Sequence, residues 1–256
     1  MTLTLILTPT LTLTVTPSRP LLQADLWKPT VVVFNGEDGI DDGGLSVEMH
    51  AAFWKGVTAE ELKLFKFAPL LGTLEELEDE DRSDAERSEP VFLPRVGACT
   101  HSLEMVGLML CKSLINQHPT GPGLCRFVFD FLLEAEGKPS RAFAKESAPI
   151  LEQAETAINS LSHFDVEQAS YFHGHLRDSE TGELRTSEWV AEHYSGMTFS
   201  ELVPLPEGHA LYDEPVTVDN LPLAVVESSK WLLRGSRLPQ LEALRRGFTR
   251  HVRYRR

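Results

Sequence analysis

Cysteine is scarce in this chain: there are three among 256 residues, Cys99, Cys111 and Cys125, none in C-x-x-C spacing. An odd number without that spacing argues against a disulfide framework and for a reducing, intracellular compartment, cytoplasmic or nuclear. Long apolar runs are missing too. No stretch approaches the roughly 18 residues that a membrane span needs, so a soluble chain without a membrane partner is expected. The opening "MTLTLILTPTLTLTVTP" lacks a basic leading region and a small-residue cleavage site, which sets it apart from a secretion signal. Its alternation of Leu or Val with Thr predicts a strand or ribbon broken at Pro9 and Pro17. Positive charge is the third shortage. Twenty-four Lys and Arg face 38 Asp and Glu, a formal charge of −14. Nucleic acid is therefore not expected as a partner, because phosphate backbones are held by clustered cations. The basic run "RRGFTRHVRYRR" near the end reads as a solvated tail.

Several catalytic patterns are also absent. No G-x-S-x-G elbow exists for a serine hydrolase, and the carboxylates are too scattered to nominate an acid–base pair. His173 and His175 in "FHGH" are two apart, which on a helix points them away from each other, whereas a helical zinc pair needs i, i+4. No catalytic residue, metal or cofactor is expected from the residues of this chain.

What is present is an ordinary globular composition, 42% hydrophobic and 24% charged, organised into legible segments. A strand is expected at Val31 to Phe34. Leu45, Met49, Ala52 and Phe53 recur at helical spacing, predicting an amphipathic helix that ends near Gly56. Residues 75–90, "EELEDEDRSDAERSEP", carry like charges and almost no large apolar residue, the composition of a flexible insertion. Helical spacing returns from Val96 to Leu114 and again from Leu124 to Leu133. It reappears from Pro149 to Leu176, then from Leu223 to Arg246, where Gly235 and Pro239 divide the run into two helices. The expected class is α+β with helix in the majority.

Between Val31 and Glu48 the chain reads "VVVFNGEDGIDDGGLSVE", with four glycines and four acidic residues from Gly36 to Gly44. A calcium loop would need oxygen ligands at alternating positions and a twelfth-position glutamate, and that spacing fails from Glu37 or Asp38. Neither GxxxxGK[ST] nor GxGxxG is present for a phosphate. What remains is geometry. Asp38-Gly39 and Gly43-Gly44 permit a sharp turn from strand to helix, and Asp41 and Asp42 lie where a helix start favours negative charge.

This stretch resembles the strand-turn-helix opening of the HECT domain of ubiquitin ligases. Phe34, Gly36, Glu37, Gly39, Asp41, Gly43, Gly44 and Glu48 stand at matching positions of F-x-G-E-x-G-x-D-x-G-G-x-x-x-E. Later fragments are similar to later segments of that family in the same order. "RVGACTHSLEMVGLMLCKSLINQ" is similar to an apolar helix built around small residues, "MTFSEL" to an "LTF" strand, and "VTVDN" to "VTxxN". "WLLRGSRLPQLEALRRGF" resembles the helix ending Q-x-x-A-F-x-x-G-F, with Gln240, Ala243, Gly247 and Phe248 matched and Leu244 replacing an aromatic. The resemblance runs from about Leu11 to Phe248 and stops where that family's catalytic lobe begins.

The resemblance implies a HECT N-lobe-like fold with a larger helical and a smaller α/β subdomain. Expected boundaries are residues 1–30 for the N-terminal ribbon, 31–150 for the large subdomain, 151–215 for the small one, and 216–256 for a return to the large one plus the tail. The implied function is protein ubiquitination, with this chain recruiting a ubiquitin-conjugating enzyme. Ubiquitin and the protein substrate would be handled by a lobe with the thioester-forming cysteine, which has no counterpart here. Phe199, on the "MTF" match, is implied to line the conjugating-enzyme groove. Phe164, Tyr171 and Phe172, in the helical segment before it, are candidates for the same groove because aromatic anchors dominate such interfaces. All three cysteines fall in segments that read as core. A non-catalytic scaffold for conjugating enzymes, or a gene-model fragment, are the alternative readings.

Overall fold

A computed structural model describes residues 3–8, 11–15, 44–70, 88–118, 123–134, 143, 147–203 and 211–249. The class is α+β and rich in helix. In chain order the elements are β1 (Leu3–Thr8), β2 (Leu11–Val15), α1 (Gly44–Val57), β3 (Phe65–Leu70), β4 (Ser88–Pro94), α2 (Thr100–Asn116) and α3 (Arg126–Leu133). There follow α4 (Ile150–Ser162), α5 (Val166–Leu176), α6 (Ser187–His193), α7 (Phe199–Leu202), α8 (Leu221–Leu233) and α9 (Leu238–Thr249). β1 and β2 form an antiparallel ribbon with Leu5 opposite Leu13, and β3 pairs with β4. The expected strand and turn at Val31–Gly43, and most of the acidic stretch 75–90, lie outside the described residues. Of that stretch, Ser88–Pro90 belong to β4.

The chain divides into two discontinuous units. One comprises residues 1–66, 97–123 and 239–256, and the other 67–96 and 124–238. The expected boundaries at 150/151 and 215/216 both fall inside the second unit. Within that unit α4 packs against both α5 and α8.

In the first unit, α2 and α9 cross with their backbones nearly touching. A Cβ added at Gly107 would stand 2.0 Å from the Leu244 carbonyl oxygen, and one added at Gly247 would stand 1.8 Å from that of Glu104. Two glycines, one on each helix, therefore permit an approach that any side chain would block. Leu103, Val106 and Leu110 of α2 and Leu241 and Leu244 of α9 are completely or almost completely buried around this crossing. Each such side chain contributes roughly 1.5–3 kcal/mol by leaving water. Gln240 Nε2 donates to the Ala98 carbonyl at 3.2 Å, which satisfies the buried amide of α9's first turn.

In the second unit, α4 and α8 pack together, and Ala154, Ala157 and Leu161 of α4 and Val225 and Leu233 of α8 are buried. Arg237 is buried as well. Its Nη1 donates to the Pro94 carbonyl at 3.2 Å and its guanidinium lies 5.8 Å from the Phe164 ring, while burial lowers its pKa to about 10. The chain enters α8 through "VTVDN". Asn220 Oδ1 accepts from the Thr217 N–H at 2.7 Å and its Nδ2 donates to the Pro215 carbonyl at 2.9 Å, so one side chain closes the turn from both sides.

Two local expectations are corrected. α2 starts at Thr100 rather than near Val96, because Gly97 has φ +76° and turns the chain, leaving Val96 exposed. "MTF" is not a strand. Only Thr198 makes a bridge, to Pro215, before Phe199 opens the one-turn helix α7. The reason is a capping box: Glu201 accepts the Thr198 N–H at 2.8 Å and so nucleates a helix at that point.

Candidate functional site

The second unit contains a cleft of about 410 Å³ lined by α5, α7, α8 and the end of α6. Its geometry starts at Asp165, whose carboxylate caps α5 by accepting the Gln168 N–H at 3.1 Å. From that start, Gln168, Tyr171, Phe172 and His175 fall at i, i+3, i+4 and i+7 and line one wall. The opposite wall is α8, with Leu221, Ala224, Val225, Ser228, Trp231 and Leu232. Leu202 and Glu201 of α7 line the cleft as well, and among the described lining residues Glu201 carries the sole formal charge.

Aromatic rings are tied together along the first wall. Tyr171 and His175 have ring centroids 4.0 Å apart, and Tyr171 and Phe172 are 5.9 Å apart. The Tyr194 hydroxyl is hydrogen-bonded to His175 Nδ1, and the two rings meet edge-on at 5.5 Å. Behind them Trp189 stacks on His193 at 3.8 Å, and the Arg185 guanidinium lies 4.4 Å over the Trp189 ring. Burial lowers the His175 pKa, and the nearby His193 and Arg185 lower it further, so the ring is held neutral and hydrogen-bonded to Tyr194. Burial raises the Tyr194 phenol above its ordinary value. The wall is thus a fixed set of rings, two of which keep a polar edge.

Tyr171 is 53% exposed and Trp231 is 40% exposed. Trp231 owes its position to Gly235, where an added Cβ would stand 2.5 Å from Cε3 of the indole. A tryptophan with glycine four residues on lets the ring lie against the helix end.

The four expected groove aromatics separate into two pairs. Tyr171 and Phe172 line the cleft side by side. Phe199 and Phe164 do not, because the structure seats them in the core at 0% and 4% exposure, where no partner reaches them. Phe199 sits at the first turn of α7, and its amide donates to the Glu214 carbonyl at 2.9 Å. Sequence reasoning missed His175, Tyr194 and Trp231. The helical spacing from Tyr171 to His175 was the available signal, and so was Trp231 as the sole aromatic of α8.

Nucleophiles lie elsewhere. Cys111 and Cys125 are buried, which raises both thiols, that of Cys125 to about 11. Cys99 corrects the expectation that all three are core: it is exposed at the N-cap of α2. The Ser102 hydroxyl and the N–H groups of Ser102 and His101 at the helix start lower its pKa. In the first unit, His50 Nδ1 lies 2.8 Å from the Ser113 hydroxyl, and the His118 ring lies tilted against His50 with centroids 4.6 Å apart. His50 and Ser113 have no exposed surface, and burial, with His118 and Lys112 nearby, lowers the His50 pKa to about 4. That pair ties α1 to α2 and offers no substrate access. Among the described residues, no three His, Cys, Asp or Glu side chains converge on a metal position. No described helix is long and apolar enough to cross a membrane. Compared with known proteins, the chain matches no family model and no curated protein.

Proposed function

We propose that this chain is the conjugating-enzyme-recruiting lobe of a HECT-type ubiquitin ligase and that the aromatic cleft is its docking surface. The observation that carries the reading is the ordered run of motif matches from Phe34 to Phe248. The cleft supports it: exposed Tyr171 and half-buried Phe172, in the helical segment before the "MTF" match, supply rigid aromatic area for an apolar loop of a partner. Ubiquitin would be carried by a cysteine outside this sequence.

Calorimetric titration of the chain with a panel of conjugating enzymes tests the recruitment. At least one should bind, and Tyr171→Ala or Phe172→Ala should weaken it by about 1–3 kcal/mol with the circular dichroism spectrum unchanged. Unchanged affinity in both folded variants would remove the cleft from the interface. An absence of binding across the panel would remove the function.

A further inference from the structure

The hydrogen bond that ties α1 to α2 has an imidazole on one side and is fully buried. His50 shares the apolar face of α1 with Met49, Phe53, Trp54 and Val57, all buried. Its Nδ1 meets the Ser113 hydroxyl at 2.8 Å, and neither residue has exposed surface. Its Nε2 is buried and has no hydrogen-bond partner among the described residues. Basic groups close in around the ring. α2 ends at Gln117, whose φ of +55° turns the chain back so that the His118 amide donates to the Ser113 carbonyl at 2.9 Å. The His118 ring then stands 4.6 Å from that of His50, and Lys112 of α2, itself buried, is the other described group whose charge reaches His50. No described carboxylate offsets them. Glu48 and Lys55 of α1 are exposed, and β1, which also contacts α1, has no ionisable side chain.

A neutral imidazole fits this site. A second proton would put a full charge in the interior beside Lys112, and an N–H on Nε2 where no described acceptor stands. We propose that His50 is an acid-released latch: uptake of one proton by its ring breaks the packing of α1 on α2 and uncovers the apolar face of α1. The latch lies in the first unit and is independent of what the cleft of the second unit binds. Burial holds the packed His50 at a pKa of about 4, against 6.5 when the ring is free in water. Protons therefore favour the released form, and the packed form loses stability as pH falls from 6.5 toward 4.

Hydrogen exchange of the full chain, read by mass spectrometry and corrected for the intrinsic pH dependence of exchange, measures the opening of α1. Between about pH 7.5 and about pH 5 the opening constant over Gly44–Val57 should rise roughly thirtyfold, while that over α4 should not follow it. His50→Gln can still bond Ser113 but cannot take up a proton, so its rise should stay below about threefold. A rise below about threefold in the parent, an equal rise in α4, or an equal rise in His50→Gln would overturn the proposal. Should His50→Gln fail to fold, titration of the parent's histidine rings by NMR decides. A His50 ring that stays neutral down to about pH 5 and charges only as α1 loses protection supports the latch, and one that charges near 6.5 with α1 still protected overturns it.

Discussion

Gly107→Ala should lower the stability of the first unit by about 3 kcal/mol or more, because one methyl group has nowhere to go. The Cβ would lie 2.0 Å from the Leu244 carbonyl oxygen and 2.9 Å from the Phe248 amide nitrogen, and both neighbours are backbone of a packed helix. A flexible side chain gives way cheaply, but here α9 must move as a whole. That movement opens gaps around Leu103, Val106 and Leu244, which are buried beside the crossing. Gly247→Ala should do the same from the other side, since its Cβ would meet the Glu104 carbonyl. Gly174→Ala in α5 is the internal control. It has no atom within 4 Å of the added Cβ, so the helix should gain roughly 0.5–1 kcal/mol from the stiffer residue. Urea unfolding followed by circular dichroism reads all three. A Gly107→Ala chain as stable as the parent would mean that the two helices do not cross at these glycines.

Phe199→Ala should cost about 3–5 kcal/mol of stability, the range for a fully buried aromatic truncated in a core. Its ring has no exposed surface, and its backbone joins α7 to Glu214 and to Val203. Any loss of partner binding in this variant would follow from unfolding around α7. Tyr171→Ala provides the contrast. With half its surface already in water, its loss should change stability by less than about 1 kcal/mol while removing cleft area. If Phe199→Ala instead kept full stability and lost only affinity, Phe199 would be a contact residue and its buried placement would be wrong.

The helices were the part most easily read. Met49 and Phe53 are buried on α1 as their spacing requires, and the break at Gly235 separates α8 from α9 as glycine and proline predict. Periodicity reports which face is apolar, so it located these elements without knowledge of what they pack against. It could not separate buried from exposed aromatics. Phe164 and Tyr171 are of similar size and seven residues apart, but Phe164 stands at the break between α4 and α5 and is enclosed, whereas Tyr171 projects into the cleft. That difference is tertiary. The helical turn at Phe199 was readable, since Thr198-Phe199-Ser200-Glu201 is a T-x-x-E capping box, yet the family likeness to a strand outweighed it. Cys99 was misplaced for a related reason. Its apolar-like spacing continues that of α2, but the helix starts one residue later and leaves the thiol at the exposed cap.

Recruitment without transfer predicts a specific pattern when the chain is mixed with activating enzyme, ATP, ubiquitin and a panel of conjugating enzymes. A ubiquitin-charged conjugating enzyme should be captured by the chain, and no reductant-sensitive ubiquitin adduct should form on it, because Cys111 and Cys125 are buried with raised thiol pKa values. Cys99 is the residue that puts this at risk, being exposed with a lowered pKa. Gels run with and without reductant, for the parent chain and for Cys99→Ser, give the answer. Capture with no adduct is the expected result. An adduct that disappears on Cys99→Ser, or no capture of any conjugating enzyme, would contradict it.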